Sequence, residues 1–197
     1  MTWTDPADAI ALFETGDVFT ESNFKTYSLD NLLALLHPYA YSPTDVDVVN
    51  TVTETILWSQ VITGGDMGAS GSLELFTFGD FLWNNNTADT LTLRLKFGGS
   101  PVMTMLGGTL SSSLSATRQT WYARAYVFNS ATNAQTFYVE GRADRSSGGD
   151  NEIWALPATA AVDTTVDQTL ELTAQWSAAS VNDSWRKLHA VLRLAQN

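Results

Sequence analysis

The chain has no cysteine among its 197 residues. That excludes a disulfide framework, a thiolate nucleophile and any cysteine-bound metal, and it leaves the compartment open. Histidine is almost as scarce: only His37 and His189 are present, with no HxH or HxxxH spacing, so a histidine metal site is not expected. Ten Lys and Arg stand against 21 Asp and Glu, a net charge of −11. So acidic a chain is not built for nucleic acid or for anionic membrane surfaces, both of which demand basic patches. No apolar run approaches the length of a spanning helix, and MTWTDPADAI lacks the basic start and apolar core of a signal peptide. The expectation is a soluble protein made without a secretion signal. There is no GxSxG elbow and no P-loop; Gly98-Gly99 and Gly107-Gly108 read as turns around a strand.

What is present is a core. Hydrophobic residues make up 44% of the chain and aromatics 11%, while only 16% is charged, enough for one domain with an appendage. From residue 51 onward the texture has period two. Leu91, Leu93, Leu95 and Phe97 alternate with Thr92, Arg94 and Lys96, as a half-buried strand requires. Leu170, Leu172, Ala174 and Trp176 form a second such set, and Leu188, Ala190, Leu192 and Leu194 a third. Stretches 53–63, 72–83, 102–106, 119–130 and 135–143 are strand-like, and Gly-, Asn- and Ser-rich turns separate them. The reading is mainly β, an antiparallel β-sandwich or barrel over 51–197. Ile153 to Leu156 fits a short strand or a helical turn.

Residues 1–50 differ. Asp5-Pro6 suits the start of a short helix. Gly16-Asp17 makes a turn, and Thr20 then N-caps an amphipathic helix to about His37, with Phe19 and Phe24 as a hydrophobic staple. Leu29, Leu32, Leu33 and Leu36 form one apolar stripe, and Pro38 ends it. Fully buried, these six side chains would contribute roughly 12 kcal/mol. Ordering some fifteen residues costs about 1–2 kcal/mol each. Alone the helix is marginal, so Phe19, Phe24, Leu29, Leu32, Leu33 and Leu36 are expected to form an anchoring interface. Residues 38–50, with two prolines, read as an extended connector.

Site chemistry is sparse. Glu54, Glu74, Glu140, Asp144 and Glu152 are candidates for the carboxylate pair of a glycoside hydrolase, but outward carboxylates on strands more often keep a surface soluble. Asp45 with Asp47, or Asp150-Asn151-Glu152, offers loop oxygens for calcium without matching an EF-hand, so no metal and no cofactor are expected. Of the seven tryptophans, Trp58, Trp121 and Trp176 fall within strand patterns. Trp83 beside Asn84 and Asn85, and Trp154 beside Asp150, are the candidates for a glycan contact through ring stacking and amide hydrogen bonds.

Gly16-Asp17-Val18, Thr20, Phe24 and Asp30-Asn31-Leu32 with Leu35, followed by one antiparallel β-domain, resemble the N-terminal pattern of tailed-bacteriophage virion proteins. TETILWSQVI, GSLELFTFGDF, DTLTLRLKFGG and VDQTLELTAQWSAAS have the texture of the jelly-roll-like domains of that group. The resemblance implies a non-enzymatic virion part, a short α-helical arm followed by a jelly-roll-like sandwich. It implies a homotrimer on the virion exterior, assembled in the host cytoplasm. Its partner would be the major capsid protein, for a capsid decoration (cement) or head-fibre protein, or a tail component, for a tail-fibre or receptor-binding one. A host-surface glycan is the alternative ligand.

Overall fold

Leu91, Leu93, Leu95 and Phe97 are fully buried, and the residues between them are half-exposed. One strand face is sealed in a core and the other meets solvent, because successive side chains point to opposite sides. The same logic runs through the whole computed structural model, which describes residues 39–84, 89–108, 115–143, 152–153 and 157–195. They form β1 (Ala40–Ser42), β2 (Val46–Val49), β3 (Thr55–Ile62), β4 (Ser72–Trp83), β5 (Leu91–Phe97) and β6 (Ser100–Gly108). After these come β7 (Ser115–Ala131), β8 (Ala134–Ala143), β9 (Glu152–Ile153), β10 (Ala158–Ala160), β11 (Gln168–Trp176) and β12 (Asp183–Ala195). The amphipathic stretch and its anchoring residues Phe19, Phe24, Leu29, Leu32, Leu33 and Leu36 lie outside the described residues, as do Trp154 to Leu156.

The strands make two antiparallel sheets. The larger has the order β1–β12–β4–β7–β8–β10, with β2 also on β12 and β9 also on β8; the smaller is β3–β11–β5–β6. The pairing is nested: β2 with β12, β3 with β11, β4 with β7, β5 with β6. It is one long hairpin, and its tip is the turn Gly98-Gly99. Both glycines have positive φ, 63° and 77°, the conformation that a two-residue hairpin of this twist needs. Rolling the hairpin brings β12 against β4 and β11 against β5. β8, β9 and β10 widen the larger sheet beyond β7.

The two inner faces share one hydrophobic core. Trp83 of β4 meets Trp176 of β11 with ring centroids 5.4 Å apart, and Phe97 of β5 meets Phe137 of β8 at 6.2 Å. Trp185 lies between Phe81 and Trp121, at 5.2 and 4.7 Å. Near this trio β12 bulges between Lys187 and His189. Trp121 Nε1 donates to the Arg186 carbonyl at 3.0 Å, and that carbonyl sits so close to Gly79 that a Cβ there would lie 1.8 Å away. Lys187 is 1% exposed and donates to the Thr44 carbonyl and to Ser42 Oγ. Burial lowers its pKa, opposed by the Asp45 charge.

Residues 39–50 correct one expectation. They are extended, but they are no connector: β1 and β2 line the β12 edge of the larger sheet. Val48 is 1% exposed in the core, and its carbonyl accepts the Trp176 indole N–H at 2.9 Å. The sandwich therefore takes in β1 and β2 and extends at least from Ala40. Short edge strands broken by Pro43 and carrying Asp45 and Asp47 have too few residues to show a period.

Candidate interaction face

A sandwich has two outer faces, and here they differ in kind. The smaller sheet turns Thr92, Arg94, Lys96, Glu171, Thr173 and Gln175 outward from β5 and β11, and Ile56, Ser59 and Val61 from β3. Glu54 organises this polar face, accepting hydrogen bonds from Thr173 Oγ1 (2.6 Å), Lys96 Nζ (2.9 Å) and Arg94 Nη1 (3.2 Å). The Thr173 hydrogen bond is the main reason its pKa lies below the ordinary range; partial burial opposes it, and Lys96 and Arg94 add to it. Apart from Ile56 and Val61, the face is polar.

The larger sheet presents rings. Its registers set its outward side chains in rows across the strands. One row runs His189–Phe78–Tyr122–Arg142, and the next Tyr41–Val191–Phe76–Arg124–Glu140. A third is Arg193–Glu74–Tyr126–Tyr138, and Phe128 follows beside Ser72 and Thr136. The rings touch in sequence: Tyr41 on His189 (6.0 Å), His189 on Phe78 (4.9 Å), Phe78 on Phe76 (6.0 Å), Phe76 on Tyr122 (6.3 Å). A second group joins Tyr126, Phe128 and Tyr138, each contact at 6.0 Å. Arg124 couples the two groups, its guanidinium 5.4 Å above Phe76 and within 3.4 Å of the Tyr126 hydroxyl. Tyr41, Tyr122, Phe128 and Tyr138 keep 54, 42, 43 and 48% of their surface exposed. Contiguous exposed apolar surface of this kind marks a binding surface, and aromatic residues with arginine are the composition enriched at protein interfaces.

Ion pairs knit the same face. Glu74 pairs with Arg124 (3.3 Å) and Arg193 (3.5 Å), and Arg124 reaches Glu140 (3.7 Å). Asp80 lies between Arg118 and Arg186. Burial pushes the Asp80 carboxyl up, but the hydrogen bonds from Arg186 and Arg118 outweigh it and hold it below its ordinary value. Asp47, across from Arg186, is raised by burial despite the same two arginines.

The expected sites fare unevenly. Trp83, a candidate for stacking on sugar, is 3% exposed and packed on Trp176, so its ring has no free face; this corrects the expected glycan contact there. Its neighbour Asn84 is exposed, with its backbone N–H on Asp183 Oδ1 at 3.0 Å. Asn85 and Trp154 lie outside the described residues, as do Asp144, Asp150 and Asn151. Glu74 and Glu140 come together around Arg124 on the open sheet face, whereas Glu54 sits on the other sheet. Among the described residues no group of three or more His, Asp or Glu is placed to hold a metal ion. A cleft of about 440 Å³ lies beside the β5–β6 turn, lined by Phe97, Pro101, Val162, Asp163 and Gln168, and it gathers none of the predicted site residues. His189 stands within the ring network with Nδ1 3.0 Å from the Tyr41 hydroxyl. The outward rings escaped sequence reading because Phe76 and Phe78 interleave with Leu75, Thr77 and Gly79, so both phases of β4 look apolar.

No protein-family model matches the chain, and no curated protein matches it. Among solved structures it is similar to the lectin UEA-II complexed with galactose, at 10% identity and TM-score 0.32, over 73% of this chain and 78% of that one. It is similar also to a pentameric capsid protein from metagenomic phage sequences, at 10% identity and TM-score 0.27, over 98% of this chain and 77% of that one. A third is the structure of infectious bursal disease virus, Gt strain, at 11% identity and TM-score 0.26, over 81% and 40%. Scores of this size fix neither membership of a family nor function.

Proposed function

We propose that the chain is a non-enzymatic structural protein of a phage virion. In its concrete form it is a capsid decoration (cement) or head-fibre protein, multimeric, tied into the particle through its N-terminal stretch and displaying the β-sandwich on the exterior. The observation that carries the proposal is the contrast between the two outer faces. The smaller sheet is largely polar, with Ile56 and Val61 its exposed apolar side chains, whereas the larger one exposes a linked group of rings and arginines of the kind that serves as a binding surface. Two further points support it. The nested pairing β2·β12, β3·β11, β4·β7, β5·β6 is the winding of a jelly roll, an architecture that viral capsid domains use. The sequence also resembles tailed-phage virion proteins in its N-terminal pattern. Fold and texture are analogies, and the face is the site-level argument.

The test has two readouts. Light scattering on the purified chain is expected to give a discrete multimer, a trimer in the preferred form. Gentle stripping and labelling of purified particles is expected to locate the protein on the head. A stable monomer found on no particle would refute the proposal, and a location at the tail tip alone would replace it with the tail-fibre form. A second reading, a glycan-binding module, draws on the exposed Tyr41, Tyr122 and Tyr138 rings. Retention on a glycan array, abolished by Tyr122→Ala, would promote it.

A further inference from the structure

The interaction face differs in charge from the rest of the chain. Arg118, Arg124, Arg142, Arg186 and Arg193, half of the ten basic residues, project from it. Four carboxylates accompany them there: Asp47, Glu74, Asp80 and Glu140. The face therefore carries +1 (5 − 4), and everything else together −12 (−11 − 1). The arginines already pair with Asp80, Glu74 and Glu140, so a matching partner brings apolar side chains for the rings and a net negative charge against the small positive excess. The outer face of the smaller sheet exposes Ile56 and Val61 but does not qualify, since Arg94 and Lys96 balance Glu54 and Glu171 and leave it no net negative charge. The longest stretch outside the sandwich combines both properties. Residues 13–38 hold Glu14, Asp17, Glu21 and Asp30 against the single Lys25, a net −3. The same stretch holds Phe13, Phe19 and Phe24 and the leucines at 29, 32, 33 and 36, and its ordering requires a surface on which to bury them.

We infer that the outer face of the larger sheet receives residues 13–38 of a second copy of the chain. The inference rests on the reading of the protein as a multimer, and it identifies what the N-terminal stretch holds. A segment that leaves one copy to dock on the sheet of the next is a heterologous contact, and such contacts close into rings when the rotation per subunit allows. The opposite net charges of segment and face favour this pairing, because a second copy offering its own +1 sheet face would bring like net charge against like.

Photocrosslinking of the full-length chain tests this. Tyr122→p-benzoylphenylalanine is introduced into ¹⁵N-labelled protein, which is mixed with unlabelled wild type, irradiated and mapped by mass spectrometry. The expected product joins position 122 of a labelled chain to residues 13–38 of an unlabelled one. Products within one chain, products to residues 39–195 of the other copy, or no product from folded protein would each overturn the inference. Phe128→p-benzoylphenylalanine repeats the measurement from another row and guards against a local folding defect. The double variant Arg124→Glu/Arg193→Glu is expected to lower the crosslink yield at least tenfold. Adding Glu14→Lys/Asp17→Lys is expected to restore more than half of it. A protein that crosslinks as expected yet is found on no particle retires the virion reading and leaves the inter-copy contact standing. A virion protein that does not crosslink retires the inference alone.

Discussion

The indole N–H of Trp176 donates a buried 2.9 Å hydrogen bond to the carbonyl of Val48, 128 residues earlier. It fastens an edge strand of the larger sheet to a central strand of the smaller one. Residues 39–50 are thus part of the core's closure, and truncations at 38 and at 50 should behave differently. Removing residues 1–38 is expected to leave a cooperative thermal transition. Removing 1–50 exposes the β12 edge, gives up the burial of Val48 at about 2 kcal/mol, and strands a buried indole donor at roughly 1–3 kcal/mol. Against a total stability on the order of 5–15 kcal/mol, that loss should broaden or abolish the transition. Equal melting of the two truncations would contradict the assignment.

Two glycines separate crowding from backbone strain. A methyl at Gly79 would stand 1.8 Å from the Arg186 carbonyl, on rigid backbone. Gly79→Ala should therefore cost about 3 kcal/mol or more, the upper range for overpacking. At Gly99 nothing lies within 4 Å and the only demand is φ +77°. Gly99→Asn should be tolerated within about 1 kcal/mol, because asparagine accepts that region. Urea titrations of both variants check the contrast.

The interaction face should matter little to folding. Phe78→Ser with Tyr122→Ser removes cross-strand ring contacts worth about 0.2–1 kcal/mol each, whereas Phe97→Ala opens a core cavity costing about 3–5 kcal/mol. The double variant is expected to melt near wild type and to sediment as a smaller species. Melting as poorly as Phe97→Ala would show that the rings belong to the fold.

Acid stability follows from Glu54 and Asp80, both held below their ordinary values in the folded chain. A carboxyl depressed by folding adds stability that is complete above its unfolded value of about 4 and is lost as the pH falls through the folded value. Asp80→Asn should flatten that acid limb. At neutral pH it should also destabilise, because Arg118 and Arg186 then face each other without their shared carboxylate. Melting temperatures from pH 2 to pH 7 measure both effects.

Lys187 predicts the opposite limb. Burial lowers its folded pKa from 10.5, so between the folded and the unfolded value the unfolded chain holds more protons and stability rises with pH. Lys187→Met keeps the buried stem, removes the ammonium and should abolish that rise. Chemical denaturation between pH 8 and pH 10.5 reads it directly.

The alternation of Leu91 to Phe97 and of Leu170 to Trp176 made the central strands legible, because strands buried on one face must repeat every second residue. Trp83 was legible in the same way: it closes the inward series Leu73, Leu75, Thr77, Gly79 and Phe81, and parity alone places it in the core beside Trp176. The adjacent Asn84 and Asn85 are what suggests a glycan contact there instead. The ring face was not legible, since it depends on which residues of β4, β7, β8 and β12 stand side by side, and register is a property of pairing. For β1 and β2, three and four residues long, propensity is silent and the β12 edge decides.

The nested ladder also bears on how the molecule is made. Among the described strands β2 and β3 pair with β12 and β11, so the ribosome must release nearly the whole sandwich before these ladders can form. Long-range pairing of that order is slow. In the interval the nascent chain carries unpaired, apolar strand edges, the condition under which newly made chains aggregate or depend on chaperones. The Gly98-Gly99 tip, which joins two strands that are neighbours in sequence, is where zippering can begin without waiting.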